Sequence, residues 1–306
     1  YGALAAAGAV AVCDDGASIA SAGVMRHALA YATQAGLRLI QHAEDTALAR
    51  NATMRDGDAA VLLGLAGWPA SAESTVVARD LELARETGAQ LHVTHLSTRE
   101  ALEHVRRARR DGVPVTCDVT PHHLAMTDRW VAGERRFAWE DATELRIDAQ
   151  RAFDGVTRVN PPLPSRDDAL ALLEAVADGT IDAIATDHAP HTVTDTLVEF
   201  AAAAPGISGL ETALSLTLAA VAAGRIGLGE ALAALSTRPA ALLGEERSVA
   251  PGAVADLVVF DPDATWRVEE SALASRGRNT PLLGMELPGR VMLTVAAGRV
   301  TYDATG

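Results

Sequence analysis

The stretch Ile181-Asp182-Ala183-Ile184-Ala185-Thr186-Asp187-His188-Ala189-Pro190-His191 decides how this chain reads. Its first five residues form a short apolar run that meets an acid and two histidines at once. A run of that length predicts a buried strand, and α/β proteins place chemistry just past the carboxyl ends of parallel strands. Asp187 is therefore the leading candidate for a catalytic or metal-binding group.

Working back from it, similar runs recur, separated by helical patterns. Ala9-Val10-Ala11-Val12-Cys13 leads into Asp14-Asp15-Gly16, and Ser21 is placed to cap a helix to about Ala35. Leu37-Arg38-Leu39-Ile40-Gln41 leads into His42-Ala43-Glu44-Asp45. Ser71 and Ser74 stand ahead of a helix that ends near Gly88, and Gln90-Leu91-His92-Val93-Thr94 leads into His95-Leu96-Ser97-Thr98. A helix from about Arg99 to Arg110 presents Arg106, Arg107, Arg109 and Arg110 as a solvated face. Val113 to Thr120 is a further strand, and Met126 to Thr157 reads as an inserted irregular loop over one face. Helices follow at about Asp167–Ala177, Gly209–Ala223 and Leu228–Leu235. This alternation predicts a parallel sheet with crossover helices. Past Ser248 the texture turns to short β-rich runs, so the expected organisation is a partial barrel over residues 1–248 and a small β appendage over 249–306.

Composition narrows the function classes. The chain has 306 residues, 49% hydrophobic and 22% charged, which suits a folded protein with a large core. A formal charge of −14 argues against nucleic acid and anionic membrane as partners. No charge-free apolar run is long enough to span a bilayer. All 26 Lys+Arg residues are arginine, which excludes a catalytic or carboxylated lysine in this sequence. Cys13 and Cys117 form no spaced motif and suit buried thiols in a reducing cytoplasm.

Four strand ends in order carry metal-compatible groups: Asp15, His42, His95 and Asp187. Carboxylate oxygen and imidazole nitrogen suit zinc and related ions, and the ends of parallel strands converge on one mouth. His27 and His104 fall inside helices, and His92 precedes its strand end as a packing residue. His122 and His123 close the fourth strand. His188 is placed to support Asp187, and His191 to meet a substrate.

Asp14-Asp15-Gly16, Gln41 to Asp45, Val93 to Thr98, Val159-Asn160-Pro161-Pro162-Leu163 and Thr186 to His191 together resemble dihydroorotase of the bacterial class I type, in the amidohydrolase superfamily. Pro205 to Leu214, Arg278-Asn279-Thr280-Pro281 and Pro251 to Asp261 match as well, so the resemblance covers nearly the whole chain. It implies a distorted TIM barrel holding two zinc ions. Asp15 would bridge them, His42 and His95 would ligate one, and Asp187 would bind the other while serving as general base and acid. Water activated between the cations would open the ring amide of dihydroorotate, or in reverse N-carbamoyl-L-aspartate would close. Asn160, His191, Pro205 and Gly206 resemble substrate-contacting positions. A homodimer, or a complex with aspartate transcarbamoylase, is a further expectation.

One feature departs from that family. Its members carry a His-x-His pair followed closely by arginine at the end of the first barrel strand, and no such pair precedes Asp15 here. The expectation is that the five strands are the fourth to eighth of the barrel, that the chain is a fragment, and that it is poorly active alone. Two readings compete: a non-catalytic, dihydroorotase-like scaffold subunit for aspartate transcarbamoylase, and another cyclic amidohydrolase of hydantoinase or allantoinase type. The latter generally use a carboxylated lysine, which this chain cannot supply.

Overall fold

The computed structural model describes residues 1–141 and 144–304. Its strands, in chain order, are β1 (Ala11–Cys13), β2 (Arg38–Gln41), β3 (Met54–Arg55), β4 (Gly67–Trp68), β5 (Leu91–Val93), β6 (Val115–Val119), β7 (Ala183–Ile184), β8 (Leu257–Arg267), β9 (Glu286–Ala296) and β10 (Arg299–Asp303). Five of them form one sheet in the order β1-β2-β5-β6-β7, with every neighbouring pair parallel. Past β7 the chain continues the pattern through a parallel bridge from His188 to Ile207.

This topology puts the carboxyl ends of all five strands on one edge. Asp15 lies two residues past β1, His42 one past β2, His95 two past β5, and Asp187 three past β7. The crossover helices form where apolar positions recur at helical spacing and a hydroxyl caps the start. In Ala22–Ala35 the Ser21 side chain accepts from Val24 N, in Arg99–Arg110 Thr98 accepts from Ala101 N, and in Arg166–Ala177 Ser165 accepts from Asp168 N. Their inner faces bury Met25, Leu29, Leu102, Val105, Leu172 and Val176 against Leu39, Leu91 and Val93 of the sheet.

A separate antiparallel sheet, β10-β9-β8, occupies the last part of the chain. It is tied to the helix Ala213–Ala222 by Trp266 Nε1, which donates to Ser215 Oγ at 2.8 Å, and by fully buried Leu287.

Several expectations are corrected. The Met126 to Thr157 segment is irregular as expected, with short 3-10 turns at Asp128–Trp130 and Gly155–Thr157, but it is anchored by its tryptophans. Trp130 and Trp139 enter the main core, stacked on either side of Phe137 with centroids 6.1 and 4.9 Å away. Their large apolar area outweighs the charges around them. Ser71 and Ser74 do not precede the helix; both lie in its first turn, behind Ala70. Past Leu228–Leu232 the chain widens into a π-turn at Ala233–Thr237, which ends two residues before Pro239, whose ring removes a donor. Arg109 is not simply solvated, because it reaches Asp182 and the Val115 carbonyl. Cys13 is exposed and only Cys117 is buried.

Candidate metal centre

Three of the strand-end groups converge. Ligand atoms of Asp15, His42 and His95 all lie within 4.8 Å of one another. His42 Nδ1 stands 2.9 Å from His95 Nε2, and Asp15 Oδ1 is 3.4 Å from the first and 4.0 Å from the second. Two ligands on one tetrahedral zinc, each at ~2.0–2.1 Å, would be separated by about 3.4 Å. The spacing and the donor set, one carboxylate and two imidazoles, therefore fit a divalent ion.

The electrostatics agree. Hydrogen bonds from His42 and His95 hold the Asp15 carboxyl well below the usual carboxylate range despite partial burial. Burial opposes a charge on His42, but its bonds to Asp15 and Glu44 outweigh it and raise the imidazole to about 9. Positive charge is thus favoured where the ligands meet, whether a proton or a metal brings it.

Neighbouring acids orient the ligands. Glu44 Oε2 lies 2.9 Å from His42 Nε2 and accepts from Asn160 Nδ2 at 2.7 Å, so Asn160 is linked to the centre through Glu44. Asp14 Oδ1 accepts from His42 N at 2.8 Å, and Asp118 Oδ1 accepts from His95 N at 2.7 Å. Buried Glu73 accepts from Ser97 N and Oγ and from Thr98 Oγ1, pinning the loop that follows His95.

Asp187 is outside the three-residue group but shares its field. Burial raises its carboxyl, with the Asp15 and Asp118 charges adding and the His95 charge opposing. Both Asp187 (φ +45°) and His95 (φ +39°) sit in the left-handed region, a strained conformation of the kind that collects at functional sites. His188 does not bond Asp187; its Nδ1 accepts from Leu210 N at 3.3 Å.

His191, Pro205 and Gly206 form a second cluster. His191 Nε2 lies 3.0 Å from the Pro205 carbonyl. Asn279 joins their loops, accepting from His191 N and Ser208 Oγ while donating to the Ala189 and Gly206 carbonyls. The histidines closing β6 turn inward: His123 bridges Thr120 Oγ1 and the Pro161 carbonyl, and burial drives the His122 imidazole well below its usual range. His92 is bound to Asp118 and Thr116.

Glu44, Asp14, Asp118 and Asn279 were not singled out from the sequence. For the first two a signal existed, since each acid adjoins or nearly adjoins a ligand candidate. Asn279 lies in the Arg278 to Pro281 motif, which gave it no role, and nothing local marks Asp118.

The Dihydro-orotase-like family description matches residues 1–101. A dihydroorotase of Geobacter metallireducens is 42% identical over 302 residues, 98% of this chain and 67% of that protein. The chain belongs to the dihydroorotase family. A dihydroorotase of Anaeromyxobacter dehalogenans is 44% identical over 99% of this chain and 66% of its own length, so the chain spans about two thirds of these family members. Among solved structures, a D-hydantoinase superposes with a TM-score of 0.80 at 23% identity, covering 99% of this chain and 66% of the other. The parallel α/β architecture is thus the one found in that D-hydantoinase, while the dihydroorotase kinship is carried by sequence.

Proposed function

We propose that this chain forms the metal-binding face of a dihydroorotase, which interconverts N-carbamoyl-L-aspartate and L-dihydroorotate in pyrimidine biosynthesis. The observation that carries the reading is the convergence of Asp15, His42 and His95 at successive strand ends, in a chain 42–44% identical to dihydroorotases along almost all of its length. The five parallel strands are assigned as the fourth to eighth of a (β/α)8-type barrel, with residues 249–306 as its β appendage. The open sheet order and the strand-end placement of the ligands support this.

Asp15, His42 and His95 would hold zinc, with Asp15 and Asp187 reaching a second ion. When bound, the metal lowers the pKa of water and polarises the ring amide. The chain's own residues do the rest. Asp187, whose burial favours the protonated form, takes the proton of the attacking water and returns it to the departing ring nitrogen. Asn160, anchored on Glu44, and His191, anchored on the Pro205 carbonyl, hold the small anionic substrate.

A hydantoinase reading has the fold likeness behind it, but a carboxylated lysine has no counterpart in a sequence without lysine. The deciding experiment loads the chain with zinc and joins it to the portion of the Anaeromyxobacter dehalogenans relative that it does not cover. Ring closure of N-carbamoyl-L-aspartate is then followed beside hydrolysis of hydantoin. Dihydroorotate turnover is expected, falling at least ~10²-fold in Asp187→Asn. Hydantoin turnover alone, or an unaffected Asp187→Asn, would refute the assignment.

A further inference from the structure

The two ligand histidines are held in different ways. His42 follows the arrangement usual for metal-bound imidazole, in which one nitrogen faces the ion and the other is fixed by a carboxylate, here Glu44 at 2.9 Å. His95 turns Nε2 toward the centre, yet its Nδ1 is buried and has no hydrogen-bond partner among the described residues. The ring's neighbour is His42, edge to face at 4.7 Å between centroids. Its backbone also occupies the left-handed region at φ +39°, which a side chain with a Cβ adopts at a cost.

Something must hold that backbone, and Asp118 on β6 does so from the adjacent strand. Its Oδ1 accepts from His95 N at 2.7 Å, and its main-chain carbonyl accepts from Leu96 N at 2.9 Å. Its Oδ2 is committed to His92 Nε2 at 2.8 Å and Thr94 Oγ1 at 2.9 Å. The carboxylate is buried and faces three donors, so it is locked in place without being a member of the ligand group. On the other flank Asp14 grips His42 N in the same way.

We propose that Asp118 is the positioning residue of the metal centre: it holds His95 in the left-handed turn that aims Nε2 at the ion, replacing the ring hydrogen bond that His95 lacks. The reference to an ion rests on the proposed function above; the conformational part does not.

Two readouts on the full chain test it. The first is the backbone conformation of His95 in metal-free Asp118→Ala and Asp118→Asn crystals. Asp118→Ala is expected to release His95 from positive φ, while Asp118→Asn, which keeps one oxygen for the His95 N–H, retains it. The second is zinc affinity, read by competition with a chromogenic chelator. Asp118→Ala is expected to weaken zinc about 10–100-fold, the usual effect of losing a ligand's supporting partner, with Asp118→Asn less affected. Asp182→Asn serves as the control: Asp182 accepts from Cys117 N, on the same strand but outside the ligand group, and its loss should leave zinc affinity unchanged. A folded Asp118→Ala with His95 still at positive φ and wild-type affinity overturns the proposal. Should Asp118→Ala not fold, the near-isosteric Asp118→Leu, which likewise offers His95 N no acceptor, takes its place, and His95 still at positive φ with wild-type zinc affinity in that variant overturns the proposal. If the wild-type chain takes up no zinc, the metal reading fails, and the His95 conformation still decides the role of Asp118.

Discussion

In the metal-free state the chain is expected to lose stability between pH 6.5 and 9, with His42 as the cause. Burial disfavours its cation, but Asp15 Oδ1 at 3.4 Å and Glu44 Oε2 at 2.9 Å more than offset this and raise it to about 9. The unfolded imidazole titrates near ~6.5. A difference of roughly 2.5 units, at ~1.36 kcal/mol each, is about 3 kcal/mol. Because the folded state binds the proton more tightly, this contribution is fully present below pH ~6.5 and disappears as pH rises through about 9. Asp80 and Asp128, raised by burial to about 6, titrate below that window and do not blur it. The assay is urea unfolding in chelator at pH 6.5, 7.5 and 9, with His42→Gln alongside. The unfolding free energy of the wild type should fall by about 3 kcal/mol and that of His42→Gln should stay nearly level. With zinc present the trend reverses, because a ligating imidazole must be neutral and zinc binding releases protons. An equal fall in both proteins, or none in the wild type, would refute the reasoning.

Two further outcomes follow from buried contacts. Asp168 accepts from Arg55 Nη2 at 3.0 Å, Arg99 N at 3.0 Å and Ser165 Oγ at 2.6 Å, while Arg55 Nε and Nη1 are buried without partners among the described residues. Asp168→Ala strands the Arg55 charge and should cost ~3–5 kcal/mol in urea unfolding, whereas Arg55→Met with Asp168→Leu should be nearly neutral; a single mutant costing under ~1 kcal/mol contradicts this. Gly206 stands at φ +147°, where an added Cβ would lie 2.5 Å from Ala189 Cβ and 3.0 Å from His191 Nε2. Gly206→Ala should cost ~1–3 kcal/mol of stability and shift the His191 imidazole resonances in nitrogen-15 NMR; unchanged resonances would separate Gly206 from His191.

The strand-and-helix alternation was legible because apolar periodicity and capping are local properties. Ser21, Thr98 and Ser165 each sit within a few residues of the amide they cap. The core anchoring of the irregular Met126 to Thr157 segment was not legible, for the opposite reason. Its charges dominate the local pattern, while the core volume that Trp130 and Trp139 fill is supplied by residues distant in sequence.

By itself the sequence determined which residue types end each strand and in what order, since a short, largely apolar run followed by an acid or histidine needs no distant information. Parallel pairing then made Asp15, His42 and His95 neighbours. Only the tertiary structure decided which imidazole nitrogen of each histidine faces the centre, that Glu44 steadies one ring, and that Asp118 grips the backbone of the other. Those contacts depend on which strand lies beside which, and on hydrogen-bond directions fixed only once chain segments far apart in sequence pack together.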